Sequence, residues 1–339
     1  MSSHSKLATL RGPLAIPIKI GLRLRASLRA LLQGPLAVAL RDVPLDTWLW
    51  SDVETRRRMQ KRGINVVPAN FYSDVPTIAE LENSFEYQGR DRPPYPLPVD
   101  EAALRRELES LLPFAKEFSP PSSSEGMPDG ERYTWDRKLF TYCDAMAYYC
   151  YVRKLKPRTV LEFGSGYSTL VAIEAAKANG GAKIVCVEPF PREFLKHKQE
   201  IELKVQTAQS ISAEYLNDTL QDGDLLFIDS THTVKAGSDC LHLYLRLLPK
   251  LRRDVTVHVH DIYLPFAMPK DWMLRRQTYW TEQYLLMAML QDNPKVRILC
   301  PLTHNEWRHR DLLEQLMGGK YQVGGRSFWF EYRGTVVPR

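Results

Sequence analysis

Val160-Leu161-Glu162-Phe163-Gly164-Ser165-Gly166-Tyr167-Ser168-Thr169 is an apolar, β-branched run that breaks into a glycine turn and then into helix-forming residues. Arg158 to Phe163 reads as a buried strand, and Ser168 to Lys177 as the helix after it. A strand leading through Gly-x-Gly into a helix N-terminus is the ligand-binding end of a doubly wound α/β fold. Glycines let the backbone approach a ligand, and the free N–H groups of the helix end attract negative charge. Glu162 departs from the dinucleotide form of this turn, where a pyrophosphate would approach. An acid there suits a ligand that carries a cationic group. Thr169 also stands where the third glycine of G-x-G-x-x-G would fall.

A second element supports the first. Lys183-Ile184-Val185-Cys186-Val187-Glu188 reads as the next strand, ending in an acid where a βαβ unit places the carboxylate that accepts bonds from ribose hydroxyls. Alternating strands and helices continue: strands at Val205–Thr207, Asp224–Asp229, Val255–His260, Val296–Cys300 and Ser327–Tyr332, and helices at Lys138–Leu155, Val234–Leu248 and Tyr279–Leu290. This alternation argues for a mostly parallel sheet.

With these residues in view, the sequence resembles the class I S-adenosylmethionine-dependent methyltransferases. The resemblance rests on Glu162-Phe163-Gly164-Ser165-Gly166-Tyr167-Ser168-Thr169 and Val187-Glu188-Pro189. Phe227-Ile228-Asp229-Ser230-Thr231-His232, Val257-His258-Val259-His260-Asp261-Ile262-Tyr263-Leu264-Pro265 and Trp280-Thr281-Glu282-Gln283-Tyr284 resemble a bacterial subgroup of that superfamily, as do Asn70-Phe71-Tyr72-Ser73 and Ser327-Phe328-Trp329. It implies a doubly wound, seven-stranded Rossmann-like sheet with a late antiparallel hairpin and a helical N-terminal extension. It also implies S-adenosyl-L-methionine as cofactor. Glu162, Gly164 and Gly166 would hold the methionine end and Glu188 the ribose, with Ser165, Tyr167, Ser168 and Asp229 completing the cofactor site. It supplies no acceptor.

The expected organisation is a basic N-terminal segment over residues 1–60, a helical and linker region over 61–130, and the cofactor-binding domain over 131–339. Pro93, Pro94, Pro96 and Pro98 form an extended connector, and Asp100 is placed to cap a helix whose Leu104, Leu108, Leu111 and Leu112 share a face. Ser119 to Gly130 reads as a loop, a lid or a linker. Five cysteines, with no C-x-x-C pair, favour free thiols in a reducing, cytoplasmic compartment. The net charge of +6 does not by itself indicate nucleic-acid binding.

The N-terminus stands apart. Lys6, Arg11, Lys19, Arg23, Arg25, Arg29 and Arg41 precede the first acid, Asp42, and Ile20, Leu24, Leu28, Leu31 and Leu32 share one helical face. Three readings stay open: peripheral contact with an anionic membrane, a targeting peptide, or a helix that packs on protein.

Methyl transfer to oxygen needs an in-line approach and a group that removes the hydroxyl proton. His260 is the first candidate for that base and His232 the second, since imidazole titrates near neutrality; Asp229 ends the neighbouring strand. The competing mechanism is a divalent ion such as Mg²⁺ on Asp229, His260 and Asp261. Ile262, where the catechol-type enzymes carry a polar ligand, weighs against it. Trp280, Glu282, Gln283 and Tyr284 would border the acceptor, with Trp135, Asp136 and Tyr142 closing over the cofactor and Phe190 packing on adenine. Two other functions are carried forward: a nicotinamide oxidoreductase on a similar fold, and a cofactor-binding scaffold without catalysis.

Overall fold

Thr159–Phe163 forms strand β1 in the computed structural model, which describes residues 51–88, 92–137 and 139–335. All five of its residues are buried, because neighbours flank it on both edges and helices cover both faces. The other strands are β2 (Lys183–Val187), β3 (Ile201–Lys204), β4 (Leu225–Ile228), β5 (Asp254–Val259), β6 (Val296–Pro301) and β7 (Phe328–Arg333). They make one sheet in the order β3-β2-β1-β4-β5-β7-β6. Five strands are parallel, and β7 runs antiparallel to both β5 and β6. This is the seven-stranded α/β methyltransferase-type sheet that the resemblance implied. The strand order reverses between β1 and β4, and ligands of open α/β sheets bind at that point.

The helices are α1 (Val53–Gln60), α2 (Ile78–Asn83), α3 (Glu101–Ala115), α4 (Tyr142–Leu155), α5 (Tyr167–Ala178), α6 (Ala213–Thr219) and α7 (Asp239–His242, passing into a π turn at Leu243–Leu247). They continue with α8 (Lys270–Arg276), α9 (Glu282–Leu290), α10 (Leu302–Arg308) and α11 (Arg310–Met317). Two cores result, one on each face of the sheet. Val160, Ile184, Phe227 and Trp329 lie on the face covered by α3, α4 and α5. Leu161, Val185, Leu226 and Val257 lie on the opposite face with Tyr244 and Leu286. The period-two alternation of each strand divides the residues this way.

Several expected boundaries move. The third strand is Ile201–Lys204 rather than Val205–Thr207, because parallel pairing of Ile184 with Ile201 through Val187 with Lys204 sets the register. The helix expected from Val234 starts only at Asp239, where the Ser238 hydroxyl caps it. The segment between β6 and β7 holds two helices, α10 and α11. The chain falls into two units, Met1–Ile78 and Ala79–Arg339. The boundary expected at residue 130 is therefore not a division: Leu104, Leu108, Leu111 and Ala115 of α3 are buried within the second unit. The Ser119–Gly130 loop is tied down, with Ser124 bonded to Asp136 and Gly130 pressed against the Phe194 ring. All five cysteines are buried and free. Among the described residues no helix is long and apolar enough to cross a membrane. The basic segment of the first fifty residues lies outside the described residues, as does Lys138.

Candidate active site

The glycine turn after β1 is fixed by contacts that leave little choice of residue. Gly164 has φ +84°, and a Cβ there would fall 1.8 Å from the carbonyl oxygen of Asp229. The Asp229 N–H donates to the Phe163 carbonyl, so the ends of β1 and β4 are held together. Thr169 explains the missing third glycine. Its hydroxyl accepts the Gly166 N–H at 3.3 Å and donates to Glu162 Oε2 at 2.5 Å, linking the first helical turn to the turn itself. A cleft of about 160 Å³ opens over this turn, lined among others by Gly164, Ser165, Gly166, Tyr167, Ser168, Glu188 and Asp229. Glu188 faces it with one oxygen accepting from the Ser165 N–H and the other from the Phe190 N–H.

Glu162 sits differently from the expectation. Its side chain is fully buried on the α4 face, and its oxygens accept from Tyr148 and Thr169. Burial pushes its carboxyl above the usual carboxylate range. It braces the turn from behind and is not among the residues that line the cleft. Trp135 is likewise a core residue, stacked with Tyr321, and Tyr142 stacks on the same ring. Leu139 and Phe140 border the cleft in their place.

The strand ends beyond the cleft carry a buried cluster of charges. His232 Nε2 lies 3.2 Å from Asp229 and 3.8 Å from Asp261, while Nδ1 donates to Glu282 at 2.7 Å. Tyr244 donates to the second Glu282 oxygen. His260 Nδ1 lies 3.3 Å from Asp229 and Nε2 3.5 Å from Asp144. Asp144 projects from α4 and accepts three hydrogen bonds, from the Arg326 and Ser327 N–H groups and the Ser327 hydroxyl. Arg326 Nε pairs with Asp261 at 3.1 Å. Four carboxylates thus face three cations, an excess of one negative charge. His232 has φ +57° and Asp261 φ +56°, a left-handed backbone that costs a side-chain-bearing residue free energy and concentrates at functional sites.

Burial disfavours charge on both histidines, yet the carboxylates outweigh it. Asp229 and Glu282 raise His232 to about 10, and Asp261, Asp229 and Asp144 hold His260 well above the ordinary histidine value. Burial would raise Asp229, but His260 and His232 hold it far below the carboxylate range. The carboxylates thus favour the imidazolium form of both histidines. A group whose folded value is raised contributes stability that is complete below its unfolded value, near 6.5, and is lost as pH climbs towards the folded value. Melting temperature is accordingly expected to fall between pH 6.5 and 8, before tyrosine and cysteine ionise, and the fall should be shallower in His232→Gln. An identical slope in the variant would mean that the imidazolium pairs are absent in solution.

A small tight pocket adjoins the cluster, walled by His232, Asp261, Tyr263, Met268, Trp280, Glu282 and Gln283. The Trp280 ring packs on His232 at 4.5 Å. His232 is therefore on the pocket wall, Asp229 is on the cleft wall, and the two touch. His260, the first candidate from sequence, is only 1% exposed and lines neither space. Glu282 and Gln283 border this pocket, whereas Tyr284 points away to Glu86.

The donor atoms of Asp229, His260 and Asp261 converge within 4.8 Å, as a metal site would require. Nothing further in the structure supports a divalent ion at this set. Asp261 already pairs with the Arg326 guanidinium, which competes with a cation for that carboxylate. Sequence reading missed Asp144, Arg326 and Tyr263. Asp144 left one signal, as a lone acid inside the apolar run Tyr142-Cys143-Asp144-Ala145-Met146-Ala147.

Residues 161–262 match the family model described as "Methyltransferase domain". An uncharacterised protein of Archaeoglobus fulgidus is 26% identical over 168 residues, covering 48% of this chain and 72% of that protein. Solved structures with partial likeness include the O-methyltransferase TomG from Streptomyces achromogenes in complex with SAM, at 16% identity and TM-score 0.37, covering 70% of this chain and 91% of that chain. Another is an O-methyltransferase from Bacillus cereus in complex with SAH, at 12% identity and TM-score 0.35, covering 70% and 92%.

Proposed function

We propose, from the methyltransferase domain at residues 161–262, that the chain transfers a methyl group from S-adenosylmethionine to a hydroxyl oxygen of a small molecule or glycan. One observation carries the oxygen chemistry: Asp229 on the cleft wall lies 3.2 Å from His232 on the pocket wall. On this reading the pair would handle the proton between cofactor and acceptor, with the acceptor displacing side chains that close the pocket in this structure.

The residues fit the cofactor. Backbone at Gly164 and Ser165 is bare enough for close approach, Glu188 presents a carboxylate beside the turn, and the cluster's excess negative charge suits a cation next to Asp229. When bound, the cofactor supplies a methyl group already activated on its sulfonium. The protein's share is positioning and proton removal. Glu188 would take the ribose hydroxyls, and Trp280 and Tyr263 would hold the acceptor's apolar body. Glu282 fixes the His232 ring through Nδ1–H, leaving Nε2 as the atom that exchanges a proton with the acceptor. Asp144 and Asp261 hold His260 charged behind Asp229, which keeps that carboxylate ionised.

Calorimetry tests the cofactor. S-adenosylmethionine and its demethylated product should both bind, and NAD should not. Glu188→Ala should weaken binding by about 1.5–3 kcal/mol, the scale of charge-assisted hydrogen bonds. Tight NAD binding without a response to S-adenosylmethionine would replace this reading with the oxidoreductase.

A further inference from the structure

The positive charge of this protein is concentrated in its N-terminal unit. Residues 1–62 hold 12 lysines and arginines against four acids, an excess greater than the +6 of the whole chain, so the remainder is slightly acidic. In α1, Asp52 is used as the N-cap and Glu54 pairs with Arg57. Arg56, Lys61 and Arg62 are exposed with no ion pair among the described residues, and Arg58 bonds only the Thr55 hydroxyl. A few residues on, Asn70 forms a turn: its side chain accepts the Tyr72 N–H and its carbonyl the Ser73 N–H. Phe71 and Tyr72 stand on that turn, 81% and 85% exposed, with their rings packed on one another at 4.2 Å. Val53 and Val67 are exposed as well.

An exposed aromatic pair a few residues along the chain from exposed cations suits a surface with both an anionic and an apolar layer. A bilayer interface offers both: headgroups for lysine and arginine, and a belt where Phe and Tyr rings lie. We propose that the unit ending at Ile78 docks on the surface of an anionic lipid bilayer, with Arg56, Arg58, Lys61 and Arg62 on the headgroups and Phe71 and Tyr72 inserted below them. A nucleic acid would satisfy the charges but not the aliphatic residues of the same unit, Ile20, Leu24, Leu28, Leu31 and Leu32, nor Val53 and Val67. The docking does not depend on methyl transfer.

Sedimentation of the full chain with vesicles tests it. The chain should bind phosphatidylcholine vesicles that contain phosphatidylserine, and not phosphatidylcholine alone. Combined replacement of Arg56, Arg58, Lys61 and Arg62 by Gln should weaken binding by at least ~10²-fold and flatten its salt dependence. Phe71→Ser with Tyr72→Ser should weaken binding while the salt dependence persists. Unchanged melting temperature and cofactor affinity in both variants would confirm that folding is intact. The proposal is overturned if the full chain ignores phosphatidylserine vesicles at low salt, if binding survives both variants, or if a single-stranded or duplex oligonucleotide binds more tightly than the vesicles do.

Discussion

Methyl transfer by His232→Gln is expected to fall about 10²–10⁴-fold while S-adenosylmethionine binding persists, the range for losing a general base. The assay is transfer of an isotopically labelled methyl group from the cofactor to hydroxyl compounds in a cell extract. The pH profile gives the sharper result. Glu282 and Asp229 hold His232 protonated up to about 10, so the ring must release a proton before it can accept one. The wild-type kcat/KM, which reports free enzyme, should therefore climb through neutrality towards about 10. The limb in kcat should lie at lower pH, because a bound cation beside Asp229 competes for the carboxylate that holds the histidine proton. Glu282→Gln removes one of the raising charges and should move the kcat/KM limb acidward. A merely structural Glu282 would lower the rate without moving the limb. Exhaustive chelation should leave activity intact, since Arg326 and the imidazolium groups already neutralise the acids a metal would use. A rate indifferent to both His232→Gln and Glu282→Gln would remove proton transfer from this pair.

Gly164→Ala is expected to be severely damaging. The left-handed backbone at φ +84° costs a residue with a side chain roughly 1–3 kcal/mol by itself. The added carbon would also sit 1.8 Å from the Asp229 carbonyl, so β1 and β4 must part where Asp229 donates back to Phe163. Thermal melting should show a large loss of stability, and cofactor binding should vanish. Gly166→Ala is the control. Its φ of −171° is open to any residue, and its nearest neighbour to an added Cβ is Arg192 Nε at 4.0 Å. That variant should melt close to wild type, with any loss confined to cofactor affinity. Equal melting of the two variants would contradict the close approach of the strands.

Some of this protein was decided by sequence periodicity. The run from Val160 to Thr169 determined a strand, a glycine turn and a helix, because local backbone preferences and alternation act over a few residues. Six of the seven strands follow from the same local rules. The placement of Asp229 and Glu188 beside the turn follows from the doubly wound topology. Register was not legible: β3 sits at Ile201–Lys204 because of its pairing with β2, not because of its own pattern. The roles of the polar residues were not legible either. Glu162 and His260 carry the same side chains whether they line a cleft or brace it. Tyr148 and Thr169 turned the first inward, and Asp144, arriving from α4, enclosed the second. The histidines' charge was decided the same way. An isolated imidazole titrates near neutrality, but burial beside carboxylates from β4, β5, α4 and α9 reverses that, and only the tertiary structure brings charges so distant in the chain within 4 Å.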